Sequence, residues 1–241
     1  MTIRIAMWSG PRNLSTAMMR AFENRTDCAV SDEPFYAAYL AETGLDHPMR
    51  DEVLATQPND WRDVAEQLVG AAPDGSALWY QKHMTHHMLT SFGREWIAAC
   101  RNVFLIRDPA RVLASYVKSR ETVTLADIGV VQQSELFDAE ANRLGHAPPV
   151  IDAADVLADP ARTLGALCAA LGIDFYPAML SWPAGKRASD GVWAPAWYAG
   201  VEASTGFAAP GGHAAPVLPA HLADIAAEAE EHYLRLAAFR L

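Results

Sequence analysis

The chain predicts an α/β domain with a central, mostly parallel sheet flanked by helices, and three observations carry that prediction. Short apolar runs of strand length alternate with amphipathic helical stretches along most of the sequence. Two of these runs pass straight into a sharp turn and then a helix, at residues 3–22 and 103–115. A length of 241 residues with 51% hydrophobic content is enough to bury one sizeable core, so a single domain over 1–241 is expected.

Strands are expected at 3–8, 28–31, 77–81, 102–106 and 149–152, joined by right-handed crossovers. The first helix runs to Arg25, because Leu14, Ala17, Met18, Ala21 and Phe22 recur at helical spacing and form one apolar stripe. A long helix is expected within 125–144. A final one at about 218–239 carries Leu222, Ile225, Ala229 and Leu236 and closes one edge. Residues 182–219 break the alternation: they are rich in Gly and Pro, yet contain Trp193, Trp197, Tyr198 and Phe207. A stretch with that much apolar mass reads as an ordered lid or substrate wall, with an interface between copies of the chain, and hence a homo-oligomer, as the alternative.

The first turn, Ser9, Gly10, Pro11, Arg12, Asn13, Leu14, Ser15 and Thr16, links a strand to a helix. That arrangement gathers backbone N–H groups and the positive helix end at one point, which suits an anion. Arg12, Ser15 and Thr16 face this cradle; the alternative is an ordinary turn with a solvated arginine. In the second segment Arg107 ends an apolar strand, Asp108 is positioned to cap the next helix and Pro109 fits its first position. At the carboxyl edge of an open α/β sheet, where ligands bind, Arg107 can grip a phosphate through its planar fork while Ser115 adds a hydrogen bond. A structural ion pair for Arg107 is the alternative. Two such grips imply a ligand with two anionic groups. The turn lacks the terminal Gly-Lys-Ser/Thr of a Walker A loop, which disfavours a magnesium-nucleotide kinase.

With these residues the chain resembles the sulfotransferases that use 3′-phosphoadenosine 5′-phosphosulfate (PAPS) and release 3′-phosphoadenosine 5′-phosphate (PAP). Ser9 to Thr16 is similar to that family's 5′-phosphosulfate loop, with Arg12 as its basic residue. Arg107, Asp108, Pro109 and Ser115 are similar to its 3′-phosphate motif. Val150 to Pro160, leading to a helix that ends at Leu171 and Gly172, resembles a third element, so the resemblance reaches from residue 1 to about 180. Asp32-Glu33-Pro34 and Lys82-His83-Met84-Thr85-His86-His87 are similar to a bacterial branch of the family. The resemblance implies a P-loop-like sulfotransferase fold, PAPS as donor, and sulfuryl transfer to a hydroxyl or amine of a small molecule. It also implies a further basic group for the 3′-phosphate, which Lys186 and Arg187 echo only loosely; a solvated basic pair is the alternative reading.

Sulfuryl transfer then needs charge stabilisation at the leaving oxygen, for which Arg12 and a helix N-terminus serve without a metal, and a base for the acceptor. Glu33, Lys82 and His83 are the candidates beside the cradle. Glu33 and His83 compete as base because both follow expected strands, with Glu33 slightly favoured, whereas His213 lies in a Gly-rich segment with no rigid support. A zinc site at His83, His86 and His87 lacks the accompanying ligands. Rival readings are a nucleotide-binding protein without transferase activity and a P-loop small-molecule kinase.

The formal net charge of −10 argues against nonspecific binding to nucleic acid or membrane surfaces, so local arginines must attract the anionic ligand. No stretch reaches the roughly eighteen apolar residues of a membrane span and no leader pattern opens the chain, which makes the cytoplasm the expected location. Cys28, Cys100 and Cys168 are scattered in apolar surroundings and fit reduced core thiols.

Overall fold

The computed structural model describes residues 2–117, 122–208 and 216–241. Five strands form: β1 (Ile3–Ser9), β2 (Cys28–Asp32), β3 (Leu78–Met84), β4 (Arg101–Ile106) and β5 (Val150–Asp152). All neighbours pair in parallel, in the order β2-β3-β1-β4-β5. From β1 the chain proceeds to β2 on one side, and from β4 to β5 on the other. The loops after β1 and β4 therefore diverge and leave a crevice at the carboxyl edge of the sheet.

Twelve α-helical segments surround the sheet among the described residues: α1 (Ser15–Glu23), α2 (Tyr36–Thr43), α3 (Arg50–Thr56), α4 (Trp61–Val69), α5 (Pro109–Tyr116), α6 (Leu125–Ile128), α7 (Val130–Leu144), α8 (Ala153–Ala158), α9 (Pro160–Ala170), α10 (Ala194–Trp197), α11 (Ala199–Glu202) and α12 (Ala223–Ala237). The two-residue period of the strands sends Ala6, Trp8, Trp79 and Phe104 to one face, where Val64, Leu68, Leu136, Phe137 and Leu236 cover them. Ile5, Met7, Tyr80, Val103 and Leu105 point to the other face, against Met18, Met19, Phe22, Val156, Leu164 and Leu167. A parallel sheet buried on both sides explains why the strands read as nearly continuous apolar runs.

The expected Asp108 cap forms, and two further aspartates act in the same way. Asp108, Asp152 and Asp159 each accept from backbone N–H groups at the start of α5, α8 and α9, with Pro109 and Pro160 in the first turn of α5 and α9. Such caps are worth about 1 kcal/mol each. The helix expected within 125–144 is divided at Gly129, which adopts φ 65° and ends α6 while starting α7. A Cβ there would lie 2.5 Å from Thr85 Oγ1, and Thr85 Oγ1 donates to the Gly129 carbonyl at 2.7 Å, so this break is pinned to the end of β3. Gln133 on α7 then donates to the carbonyls of Trp8 and Leu105, tying β1 to β4 just where the crevice opens.

Other features also differ from expectation. β3 continues through Met84, so Lys82 and His83 lie within the strand rather than after it. A charged residue is tolerated there because an acidic partner stands opposite on β2. The late aromatic-rich stretch contains the short helices α10 and α11, and Trp193, Ala194 and Tyr198 pack with Tyr36, Tyr39, Leu40 and Val53 in a core of their own. Residues 209–215, including His213, lie outside the described residues. Among the described residues no helix is long and apolar enough to cross a membrane.

Candidate functional site

The first turn is shaped by close packing and by unusual backbone conformation. A Cβ on Gly10 would stand 2.4 Å from the Ile128 carbonyl oxygen, so only glycine lets the chain turn there against α6. Arg12 and Leu14 then take left-handed backbone, φ 62° and 71°, with Asn13 between them. Alternation of this kind curls successive N–H groups toward one concavity, and for non-glycine residues it costs on the order of 1 kcal/mol or more each. Local bonds offset that cost: Asn13 Nδ2 donates to the Leu105 carbonyl at 3.3 Å and Arg107 donates to the Arg12 carbonyl at 2.5 Å. Leu14 provides no side-chain cap for α1, which leaves that helix end suited to an external anion.

The two anion grips read separately along the chain meet in space. Arg12 Nε donates to Ser115 Oγ at 3.0 Å. Burial, with Arg111 and Arg12 close by, lowers the pKa of Arg107. Like charges are thus concentrated at one mouth of an acidic protein, a local field that attracts anions.

The opposite wall is built by strand register. Asp32 on β2 stands directly across from Lys82 on β3, so both side chains share one face and meet with Lys82 Nζ 2.8 Å from Asp32 Oδ1. Glu33 follows immediately at φ 40°. Its backbone is held on both sides, the N–H donating to Lys82 O at 2.9 Å and the carbonyl accepting from Tyr36 N and Gln57 Nε2. Lys82 Nζ also donates to Glu33 Oε1 and to the Tyr198 hydroxyl, each at 2.6 Å. An ammonium has three N–H groups, and these three acceptors engage all of them. Tyr198 in turn donates to Asp32 Oδ2 at 2.7 Å and accepts from Trp193 Nε1 at 3.1 Å. The segment that brings Tyr198 is anchored upstream: Gly191 N donates to Asp32 Oδ2 and Asp190 pairs with the buried Arg20 at 2.6 Å.

Electrostatics at this wall follow from burial and pairing. Burial works against the Lys82 ammonium, but Asp32 and Glu33 outweigh it and hold its pKa well above the ordinary lysine value. Burial raises the Glu33 carboxyl, with Lys82 pulling partly the other way. His87 is pushed well below the usual histidine range by burial and by neighbouring His86, His47 and Lys82, so it stays neutral.

Cradle and wall enclose one cavity of about 380 Å³. Pro11, Arg12, Asn13, Leu14, Ser15, Thr16, Glu33, Lys82, Arg107 and Ser115 all line it, so most of the residues singled out in the sequence converge. Ser9 and Gly10, at the start of the turn, are buried and do not line the cavity. His83 does not line the cavity, which corrects its expected position. One residue from Lys82 on the same strand, it points to the other face, where it stacks on Trp8 at 4.5 Å and packs against Trp96. Burial lowers its pKa to about 3. Lys186 and Arg187 do not line the cavity either. Lys186 is exposed, while Arg187 donates to the Pro183 carbonyl and lies 3.8 Å from Glu23 at the end of α1.

The lining residues Tyr36 and His47 went unread in the sequence. Tyr36, His47, His86, His87 and Tyr198 complete the wall, with Tyr36 stacked on His87 at 4.6 Å and its hydroxyl 2.9 Å from His47 Nδ1. The aromatic content of the late stretch signalled a wall, but nothing in the chain order signals that Tyr198 meets Lys82.

Comparison with known proteins agrees with this architecture. A family model described as "Sulfotransferase domain" matches residues 3–235. Two proteins of Arabidopsis thaliana, named branched-chain-amino-acid aminotransferase-like protein 1 and protein 2, are 38% and 35% identical over 194 and 193 residues, 80% of this chain. The chain spans about a third of the length of each, since the match covers 34% of either relative. The sulfotransferase domain of the olefin synthase of Synechococcus PCC 7002 superposes with a TM-score of 0.52 over 97% of this chain and 95% of that one; at 16% identity the likeness is one of fold. The chain belongs to the sulfotransferase-domain family.

Proposed function

We propose that this chain moves a sulfuryl group from PAPS to a hydroxyl or amine of a small molecule. The observation that carries the reading is the single cavity with opposite chemistry at its two ends: Arg12, Arg107, Ser15, Thr16 and Ser115 at one, and Glu33 with histidine and tyrosine rings at the other. The first set fits PAPS. It offers two arginines, three hydroxyls and an uncapped helix end, all donors, to a ligand with anionic groups at its 5′ and 3′ positions. Among the described residues, Ser9 Oγ and Asn13 Oδ1 are buried without hydrogen-bond partners at this turn.

PAPS, when bound, supplies an activated sulfuryl group on a phosphate leaving group. Arg12 and the N-terminus of α1 hold the 5′ group and offset negative charge, and Arg107 with Ser115 holds the 3′-phosphate. Glu33 takes the proton of the acceptor. Its carboxylate reaches the cavity, and its strained backbone is over-determined by neighbours, as at many functional positions. With its carboxyl raised by burial, turnover falls with acid above the ordinary carboxylate range, because the base must be deprotonated. The Tyr36, His47 and His86 walls suit a small acceptor with polar and aromatic surface. Three free thiols at Cys28, Cys100 and Cys168 suit the cytoplasm.

Thermal-shift measurement with PAP and with ATP-magnesium tests the reading, since the preferred ligand stabilises by mass action. PAP should give the larger shift. Arg107→Ala should weaken PAP by about tenfold or more yet barely alter adenosine 5′-phosphosulfate, which lacks the 3′-phosphate. Equal losses would remove the 3′ assignment, a larger shift with ATP-magnesium would favour a kinase, and PAP binding with no transfer to any acceptor would leave a binding protein.

A further inference from the structure

The strongest unexplained feature is the saturation of Lys82. Its side chain is 1% exposed, and its three N–H groups go to Asp32, Glu33 and Tyr198. The Tyr198 hydroxyl is equally committed: one proton to Asp32, and its acceptor capacity used by Lys82 and Trp193. No donor of Lys82 is left for a ligand in the cavity. Asp32 is the hub, receiving Lys82, Tyr198 and the Gly191 N–H.

We infer that Tyr198 is a positioning residue for sulfuryl transfer: its hydroxyl holds the Lys82 ammonium so that Lys82 clamps the Glu33 carboxylate in the cavity instead of reaching the transferred group. Three separate parts of the chain are needed for this clamp, since Tyr198 lies 166 residues from Asp32 and 116 from Lys82. The hydroxyl touches neither arginine of the cradle. Charge stabilisation on the transferred group then falls to Arg12 and the helix end, and Lys82 acts through Glu33. The inference rests on the reading of Glu33 as base, but the clamp itself is measurable without an acceptor.

The charged and titratable groups around Glu33 and Lys82 are Asp32 on β2, Tyr80 two residues earlier on β3, Tyr198 between α10 and α11, Tyr36 on α2, His47 before α3, His86 and His87 after β3, and Arg12 across the cavity. Removing only the Tyr198 hydroxyl deprives Lys82 of one acceptor and Asp32 of one donor. A loosened ammonium stabilises the Glu33 carboxylate less, so Glu33 should titrate at higher pH. Burial already pushes this carboxyl up, and the adjacent Lys82 ammonium pulls it down.

The test is NMR of the lysine ammonium groups and of the Glu33 carboxyl carbon across pH, in the parent, Tyr198→Phe and Trp193→Phe. The parent should give a Lys82 ammonium signal protected from solvent exchange. Tyr198→Phe should lose that protection and move the Glu33 titration to higher pH; Trp193→Phe should move it less, in the same direction. An unprotected Lys82 in the parent, or a Glu33 titration unmoved or lowered in Tyr198→Phe, overturns the clamp. Should Tyr198→Phe fail to fold, the parent signal and Trp193→Phe decide. PAP thermal shifts on the same samples separate the two readings. A parent that ignores PAP loses the PAPS reading while the titration still judges the clamp, and a Tyr198→Phe protein should keep its PAP shift.

Discussion

The two ends of the cavity are built by different means. The cradle end is made of backbone: two strand-turn-helix units, each contiguous in sequence, whose turns meet through Arg12, Ser115 and Arg107. The opposite end is made of side chains from β2, β3 and the late aromatic stretch, joined in one buried network around Asp32. An anion site of the first kind needs only local geometry and the sheet edge. A network of the second kind exists only when strand register and a distant segment are both correct. The lesson is that damage should separate: changes at the Asp32 end affect folding as well as turnover, and changes at the cradle affect ligand and turnover without affecting folding.

Asp32→Ala should have the largest effect. It leaves the Lys82 ammonium, the Tyr198 hydroxyl and the Gly191 N–H short of a buried partner, and breaking a buried pair costs about 3–5 kcal/mol. The melting temperature should fall by about 10 °C for a chain of this size. A change of only a degree or two would mean the network is loosely coupled to the fold, and the contrast between the two ends would fail.

Arg12→Ala comes next, and on a different readout. Arg12 is exposed, so the melting temperature should hardly move, while turnover at saturating PAPS should drop about a hundredfold or more, as when an oxyanion donor is removed. Arg12→Lys should retain part of the rate. Parent-like turnover in both variants would reduce Arg12 to a surface charge.

His83 sharpens the comparison from the far face of the sheet. Its pKa in the fold, about 3, lies below the unfolded value of about 6.5. The stability it contributes is therefore fully present above the unfolded value and is lost as pH falls through it, because the unfolded chain takes up the proton first. His83→Phe should flatten the acid side of the stability curve by about 1.4 kcal/mol per pH unit below about pH 6.5. An unchanged slope in denaturant titrations would mean that the ring protonates in the fold and is reachable from the site. Smallest of all, Lys186→Ala and Arg187→Ala should leave PAP affinity within about twofold, since partly exposed pairs such as Arg187 with Glu23 contribute little. A tenfold loss in either would return these residues to the 3′-phosphate.

What the chain order made legible was whatever depends on neighbours in sequence. The strand runs, the apolar stripe of α1, the Asp-Pro starts of α5 and α9 and the turn at Ser9 to Thr16 are local, and all appear in the structure. The break at Gly129 was not legible, because its cause is the end of β3 pressing on it, 44 residues away. His83 was misread for want of one physical rule: on a strand whose side chains alternate, Lys82 and its neighbour cannot face the same cavity. Once β3 is known to extend through Met84, that rule alone removes His83 from the site.

The sequence by itself determined the sheet, the anion cradle and its arginines, since strand propensity, helix caps and turn geometry act within a few residues. Only the tertiary structure decided which acidic and basic groups meet. The Asp32–Lys82 pair depends on parallel register between strands 50 residues apart. Tyr198 reaches them because Trp193 and its neighbours bury their rings against α2 and α3. That packing is driven by apolar area, which is non-directional and carries no label of its partner in the chain.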